Sequence, residues 1–314
     1  MTRRGAGRVR GCLDAGGIFA RADTPNMRSI SFLFVLLVSS LVVRAEVRVV
    51  GSDLLGKDFA AALTAYSTRN ELGLTLSFTG SRTGIGELQA GRADLALVVF
   101  SPGEKPPAAP FIVLPVAYHT AVVVVPATLP LTQITFAQLN TIYGSDAQSG
   151  LKRWSDLGVT GEWAPRNILP NISGPGVGLT YDLFRYTVLT SPELKPTVGV
   201  QASLAESLIR IRGDEGGIAI LPALPAKQPR LKTLLVARGA QDVAFGPTSD
   251  NVHSGDYPIR LPVYLVFRKD AAKALQPVLR YLLSEDAVPL WEEGGMVPLP
   301  IQVRNQQIFD LEVL

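Results

Sequence analysis

The chain has 314 residues, of which 47% are hydrophobic and 18% are charged, so it can bury a core large enough for two domains. Its formal net charge is +3, but seven arginines against two aspartates lie before residue 46, and the remainder is nearly neutral. The charge therefore does not predict nucleic-acid binding. Cys12 is the only cysteine and His119 and His253 are the only histidines, so the chain after residue 46 has no disulfide, thiolate or His-rich metal site, and no cofactor is expected.

The N-terminal region predicts export. Residues 1–26 are rich in Arg, Gly and Ala and lack an apolar pattern, so we expect either disorder or a start codon assigned too early, with Met27 as the true start. Residues 27–45 have the layout of a secretory signal peptide: a positive start, an apolar run and small residues at the end. The run Ile30–Val43 is shorter than the roughly 20 residues that span a bilayer. We expect cleavage after Ala45, with an uncleaved N-terminal anchor as the alternative.

From Glu46 onward the pattern alternates between short β-branched runs and segments of helical periodicity. Such alternation predicts an α/β fold built on mainly parallel sheets. The predicted strands are Val47–Val50, Thr75–Phe78, Asp94–Phe100, Phe111–Ala117, Ala121–Val125, Ile168–Ser173, Gly217–Leu221, Leu231–Ala237 and Pro258–Arg268. The predicted helices are Lys57–Thr68, Ile85–Ala90, Thr135–Tyr143, Leu204–Ile211 and Ala271–Leu283, with a further helical spacing from Leu179 to Val188.

Three of these strands end in glycine immediately before a helical segment. The junctions are Gly51-Ser52, Gly80-Ser81 and Gly174–Gly178, although the third could equally be a flexible loop. The start of a helix carries unpaired N–H groups and the positive end of the helix dipole, and so attracts anions. Neighbouring parallel strands bring such starts to one crevice. The pattern therefore predicts a small-anion site.

Several motifs in a fixed order carry a family resemblance. They are Gly51-Ser52-Asp53, Gly80–Ile85, Ala90–Asp94, Leu139–Gly144 with Trp154–Asp156, Gly216–Ala219, Tyr257–Pro262 and Gly294–Leu299. Together they span nearly all of residues 46–300, and the chain resembles the periplasmic phosphate-binding proteins of ABC transporters, within the type II solute-binding superfamily.

The resemblance implies a two-lobed α/β protein in which each lobe is a mainly parallel sheet flanked by helices, with the ligand cleft between the lobes. Lobe 1 would comprise residues 46–118 and 258–314, and lobe 2 residues 119–257. The protein would be a periplasmic monomer, not an enzyme. It would capture inorganic phosphate or a similar oxyanion and deliver it to an ABC permease in the inner membrane.

The resemblance also implies the ligand-binding residues. They are Ser52, Asp53, Leu54, Ser81, Arg82, Thr83, Gly178 and Thr180. Ser52 and Ser81 would donate hydroxyls and Arg82 would supply positive charge. Asp53 would either accept a proton from a protonated oxyanion or cap its helix, and aspartate is a frequent N-cap.

Two departures from the family pattern weaken the expected site. Val98-Val99-Phe100 stands where the family carries polar groups, and Gly174 and Gly178 stand where it carries an arginine and a serine. Each lost charge-assisted hydrogen bond costs roughly 1.5–3 kcal/mol, which is tenfold or more in affinity. The alternative is therefore the same fold with a degraded phosphate site, which binds another ligand or acts as a sensor or partner-binding protein. Neither His119 nor His253 lies in a recognisable catalytic motif.

Overall fold

The computed structural model describes residues 46–101, 104–147, 150–212, 217–223 and 228–314. The predicted signal peptide, residues 27–45, and the residues before it lie outside the described ranges, as does Gly216 of the glycine motif. Within these ranges the predicted alternation of strands and helices is present, and the α/β class is confirmed.

The described strands and helices have the following bounds. The strands are β1 Val47–Gly51, β2 Leu74–Phe78, β3 Leu95–Val98, β4 Phe111–Thr120, β5 Val122–Pro126, β6 Gln133–Thr135, β7 Leu169–Ser173, β8 Gly199–Gln201, β9 Gly217–Leu221, β10 Leu231–Thr233, β11 Leu235–Ala237, β12 Arg260–Arg268 and β13 Met296–Pro298. The helices are α1 Gly56–Arg69, α2 Ser81–Gln89, α3 Phe136–Tyr143, α4 Thr180–Val188, α5 Leu204–Arg212, α6 Ser249–Ser254, α7 Ala272–Leu283, α8 Val288–Glu293 and α9 Ile301–Glu312.

Two larger sheets organise the described residues. Sheet A has the strand order β13-β4-β12-β3-β1-β2, and sheet B has the order β10-β5-β9-β7-β8. Sheet A takes its strands from both ends of the described chain and sheet B from its middle, which is the arrangement that the predicted lobes require. The lobe boundaries at residues 118/119 and 257/258 stay a prediction, and β4 continues two residues past the first of them, to Thr120.

The sheets are mixed, which corrects the expectation that they are mainly parallel. In sheet A, β1 pairs in parallel with β2 and β3, whereas β12 pairs antiparallel with β3 and β4, and β13 antiparallel with β4. In sheet B, β7 is parallel to β8 and β9, whereas β5 is antiparallel to β9 and β10. The strand–glycine–helix junctions therefore belong to the parallel part of each sheet, where carboxyl ends of strands share one edge.

The predicted strand Leu231–Ala237 is two strands. Leu231–Thr233 pairs with β5 in sheet B, and Leu235–Ala237 pairs with β6 in a separate two-stranded sheet. The chain changes partner at Leu234, whose N–H donates to the Val123 carbonyl at 2.8 Å. A continuous apolar run does not reveal such a change, because both halves are suited to a buried strand.

The predicted helices are present, with one shift at α2, whereas α6, α8 and α9 were not predicted. Thr135 caps α3 in a capping box, because its hydroxyl accepts from the Gln138 N–H and the Gln138 side chain accepts from the Thr135 N–H. Helix α2 begins at Ser81, four residues before the predicted Ile85. The first turn of α2 therefore lies directly at the Gly80-Ser81 junction.

The core beneath the first junction joins α1 to α8. Phe59 of α1 is 2% exposed and lies with its ring 4.9 Å from that of Trp291 in α8. This contact fixes the start of α1 beside the loop that connects α8 to β13. Within the described part of the chain, none of the helices has the length and apolar character that a bilayer crossing requires.

Candidate functional site

The first junction is held by an unusually close approach of two backbones. A Cβ atom on Gly51 would lie 2.1 Å from the carbonyl oxygen of Leu97 in β3, so only glycine fits this position. The next residue, Ser52, donates its N–H to the same carbonyl at 2.8 Å. Its hydroxyl is buried and accepts from the Leu54 N–H at 3.2 Å, which caps the short 3-10 helix Asp53–Leu55. Ser52 thus shapes the turn that presents Asp53 and Leu54.

The second junction packs against the first. The Gly80 N–H donates to the Gly51 carbonyl at 2.9 Å, and a Cβ on Gly84 would lie only 3.2 Å from Gly51. The hydroxyl of Ser81 accepts from the Val99 N–H at 3.0 Å. Arg82, in the first turn of α2, is exposed. The second junction therefore packs against the first and places the charge of Arg82 near it.

Val98 and Phe100 belong to a hydrophobic cluster that includes Ile85 and Leu88 of α2. Val98 is fully buried and Phe100 is 9% exposed, with its ring centroid 5.3 Å from that of Tyr264 in β12. The backbone N–H of Val99 donates to the Ser81 hydroxyl and is therefore not free to bind a ligand. The departure from the family pattern at this strand end thus provides core packing rather than ligand contact.

The third junction turns tightly before α4. Gly178 has a φ of +118°, a conformation that glycine alone adopts at low cost. Thr180 is 4% exposed, and its hydroxyl donates to the Thr120 carbonyl of β4 at 3.1 Å. The first helical hydrogen bond of α4 is donated by the Leu183 N–H to the Leu179 carbonyl, at 2.8 Å. The N–H groups earlier in this turn therefore have no helical acceptor.

The first and third junctions meet in one cleft of about 640 Å³. Its walls are the start of α1, the loop from Pro175 to Thr180, and the loop that joins α8 to β13. The polar and glycine residues that line it include Asp53, Lys57, Asp58, His119, Gly178, Thr180, Glu293 and Gly295. Leu54 lines it as well, so the cleft brings together Asp53, Leu54, Gly178 and Thr180 of the predicted set.

The other four predicted residues do not line this cleft, as the described residues form it. Ser52 lies beneath it as a cap, and Ser81 is bound to Val99. Arg82 and Thr83 are exposed at the neighbouring start of α2. The structure therefore places these four beside the cleft, at the same edge of sheet A.

Most of the lining residues were not among the predicted ligand contacts, and two of them, Lys57 and His119, bear on the chemistry of the cleft. Lys57 lies in the first turn of α1, and it could have been found by extending the first motif through one helical turn. His119 lines the cleft from β4 and is 5% exposed. Burial lowers the pKa of His119 to about 4, so the ring is neutral at physiological pH.

The electrostatics of the cleft combine opposing contributions. Among the described residues that line it, Lys57 is the only cation at neutral pH, whereas Asp53, Asp58 and Glu293 are carboxylates. The starts of α1 and α4 add the positive ends of two helix dipoles. Within the described ranges, no group of three or more His, Cys, Asp or Glu side chains is arranged to hold a metal ion. The cleft is thus built to hydrogen-bond a ligand of low net negative charge.

Comparison with known proteins gives a family and several relatives. A family model described as a PBP superfamily domain matches residues 39–286. The phosphate-binding protein PstS of Pseudomonas aeruginosa is 25% identical over 245 residues, 75% of this chain and 74% of that protein. Protein SphX of Synechococcus elongatus is 30% identical over 203 residues, 60% of this chain and 56% of that protein.

Solved structures with the same fold cover most of the chain. A possible phosphate binding protein from Planctomyces limnophilus superposes with a TM-score of 0.62 at 18% identity, over 85% of this chain and all but 2% of the other. An ABC-type phosphate transport receptor from Vibrio cholerae gives a TM-score of 0.56 at 20% identity, over 81% of this chain and 100% of the other. At these identities the superpositions show that the chain shares the fold of these proteins.

Proposed function

The chain belongs to the PBP superfamily, and on that premise we propose that it is an exported solute-binding protein that captures a small oxyanion, inorganic phosphate first, for delivery to an ABC permease of the inner membrane. One observation carries this proposal: the starts of α1 and α4, from different sheets, line the same cleft. The start of α4 then offers N–H groups without helical acceptors, and both helix starts offer a positive dipole end to one small ligand. The names of the PstS relatives point to phosphate as that ligand.

In this proposal the oxyanion is held mainly by backbone N–H groups. The first turn of α4, after Gly178, offers N–H groups without helical acceptors, and Lys57 supplies a charge from α1. Because the Thr180 hydroxyl is bound to Thr120, its backbone N–H is the group that would serve the ligand. The second junction still offers candidate contacts to the side of the ligand that faces sheet A, namely Ser81, Arg82 and Thr83.

The carboxylates predict selectivity among oxyanions. Asp53 lines the cleft, and it can accept a hydrogen bond only from a ligand that carries a proton. Monobasic phosphate carries two protons and dibasic phosphate carries one, whereas sulfate at neutral pH carries none. We therefore expect phosphate to bind more tightly than sulfate.

A second candidate function keeps the fold and changes the ligand. The apolar packing of Val98 and Phe100 removes one polar contact region, and three carboxylates around one lysine disfavour a bare dianion. Both observations suit a larger or less charged solute, or a sensor or partner-binding role. A thermal-shift panel of organic phosphates and neutral solutes would identify such a ligand.

Isothermal titration calorimetry of residues 46–314 with phosphate and with sulfate tests the proposal. We expect a one-to-one phosphate isotherm and weaker or undetectable sulfate binding. Silence with both anions, from a protein shown to be folded by circular dichroism, would overturn the proposal and favour the second candidate. Delivery to a permease is tested separately, by phosphate uptake in cells that lack the gene.

A further inference from the structure

His119 has an unusual environment for a histidine in a strand. It lies in β4, opposite Leu261 of β12 and Met296 of β13, and it is 5% exposed. Within the described part of the chain, its Nε2 atom is sealed from solvent and has no hydrogen-bond partner. Leaving a buried polar atom unpaired is costly, so most such atoms in folded proteins have a partner.

The position of His119 relates this unpaired atom to the cleft. His119 lines the cleft, as do Gly178, Thr180 and Gly295. The adjacent residue, Thr120, accepts the hydroxyl of Thr180, which ties β4 to the start of α4. His119 is therefore adjacent in sequence to Thr120, the residue through which β4 contacts the start of α4.

We propose that the imidazole of His119 binds the solute through a hydrogen bond between Nε2 and an oxygen of the oxyanion at the floor of the cleft. This inference rests on the proposed function, and it adds a side chain that the family resemblance does not supply. It would compensate in part for the polar groups absent at Val98–Phe100 and at Gly174. The neutral ring can donate one N–H to an anion oxygen while its other nitrogen accepts.

Two purely structural roles make different predictions. If His119 were a packing residue, a leucine of similar volume would suit the apolar strand neighbours better, yet ligand affinity would not change. If Nε2 bound a permanent structural water, its loss would alter stability without altering affinity. Only a ligand contact combines a loss of affinity with no loss of stability, since the unliganded protein then carries the cost of the unpaired atom.

The test compares His119→Leu and His119→Gln with the wild type by phosphate calorimetry and thermal unfolding. Leucine removes the hydrogen bond and retains the volume, whereas the glutamine amide retains a donor and an acceptor. His253→Gln is the matched control, because His253 is the other histidine of the chain. It lies in α6, its Nδ1 atom is hydrogen-bonded to the Tyr118 hydroxyl, and it does not line the cleft. All four proteins comprise residues 46–314.

We expect His119→Leu to bind phosphate about tenfold or more weakly, with a Tm of the unliganded protein equal to or above that of the wild type. His119→Gln should retain part of the affinity, and His253→Gln all of it. Wild-type affinity in His119→Leu would overturn the inference while leaving the proposed function intact. If the wild-type protein itself does not bind phosphate, both the inference and the proposed function are overturned. Phosphate binding by the wild type therefore distinguishes the two failures.

Discussion

Thr180 donates its side-chain hydroxyl to the backbone carbonyl of Thr120 at 3.1 Å, and both residues are buried. Thr120 in turn donates its own hydroxyl to the Pro222 carbonyl at 2.7 Å. The start of α4, the end of β4 and the residue after β9 are thus joined by two consecutive hydrogen bonds. The end of β4 and the third junction are therefore linked directly at the cleft.

Thr180→Val should lower the free energy of unfolding by about 1 kcal/mol, because the Thr120 carbonyl loses its donor inside the protein. Phosphate affinity should change less than threefold, since the proposed ligand contact of Thr180 is its backbone N–H. Urea unfolding and calorimetry on the same preparations measure the two effects, with Thr180→Ser as the control that keeps the hydroxyl. A large loss of affinity at unchanged stability would show instead that the hydroxyl leaves Thr120 to bind the ligand.

Lys57→Gln should weaken phosphate binding about tenfold, the cost of one charge-assisted hydrogen bond. The lysine lies in the first turn of α1, where its charge adds to the helix dipole. Calorimetry at low and at high salt measures the effect, and the difference between the two proteins should shrink as salt screens the charge. Lys273→Gln in α7 is the matched control, since Lys273 is exposed and does not line the cleft. Equal affinities of Lys57→Gln and wild type would assign the binding to backbone groups alone.

Arg82→Gln should weaken phosphate binding less than Lys57→Gln does. Arg82 is exposed at the start of α2 and is not among the described residues that line the cleft, so its charge acts across solvent. Its effect should fall below about threefold and vanish at high salt. If Arg82→Gln were the more damaging change, the ligand would sit nearer the second junction than the cleft suggests, and Ser81 and Thr83 would become the next residues to change.

Structural features that depend on residues close together in the sequence were predicted, whereas features that depend on contacts between distant segments were not. The glycine junctions and the helix that begins at Thr135 are local signals, and the structure has them where predicted. The mixed sheets were not predicted, because β12 inserts between β3 and β4 from more than 140 residues away along the chain. Local periodicity carries no information on which distant strand pairs with which, or in which direction.

The candidate site likewise combines residues that local motifs predict with residues that only the tertiary structure brings together. Asp53, Leu54, Gly178 and Thr180 follow from motif positions, and the structure brings them to one cleft. His119 could not be assigned to that cleft from the sequence, since its place depends on the pairing of β4 with β12 and β13. The hydroxyl of Ser81 was expected to face a ligand, and its bond to the Val99 N–H is a tertiary contact that no motif specifies.

Gly51→Ala should destabilise the protein by about 1–3 kcal/mol or more, the range for overpacking a close contact. The new Cβ would meet the Leu97 carbonyl oxygen at 2.1 Å, and that oxygen cannot retreat without losing the Ser52 N–H that it accepts. Gly86→Ala is the matched control: a Cβ there meets no heavy atom within 4 Å, and it lies inside α2.

Alanine in the helix should stabilise Gly86→Ala by roughly 0.5–1 kcal/mol. Urea unfolding followed by circular dichroism gives both free energies. Similar stability of Gly51→Ala and the wild type would mean that β1 and β3 can separate at this edge, and that the close approach does not define the first junction.

The free energy of unfolding should depend on pH through His119. Burial lowers its pKa to about 4 in the folded protein, against roughly 6.5 in an unfolded chain. Between these values the unfolded state binds a proton that the folded state does not, so stability falls as the pH falls from 6.5 towards 4. At pH 4.5 the loss amounts to roughly 2–3 kcal/mol, at 1.36 kcal/mol for each pKa unit.

His119→Leu removes this contribution, so the difference in unfolding free energy between wild type and variant should grow as the pH falls from 7.5 to 4.5. Carboxylates with lowered pKa values, such as Asp94 beside Arg48, titrate in both proteins and cancel in the difference. Urea titrations at four pH values across this range measure it. Parallel profiles would mean that the ring takes up a proton inside the folded protein, as it would if the neighbouring carboxylates Asp58 and Glu293 could turn towards it and stabilise the imidazolium.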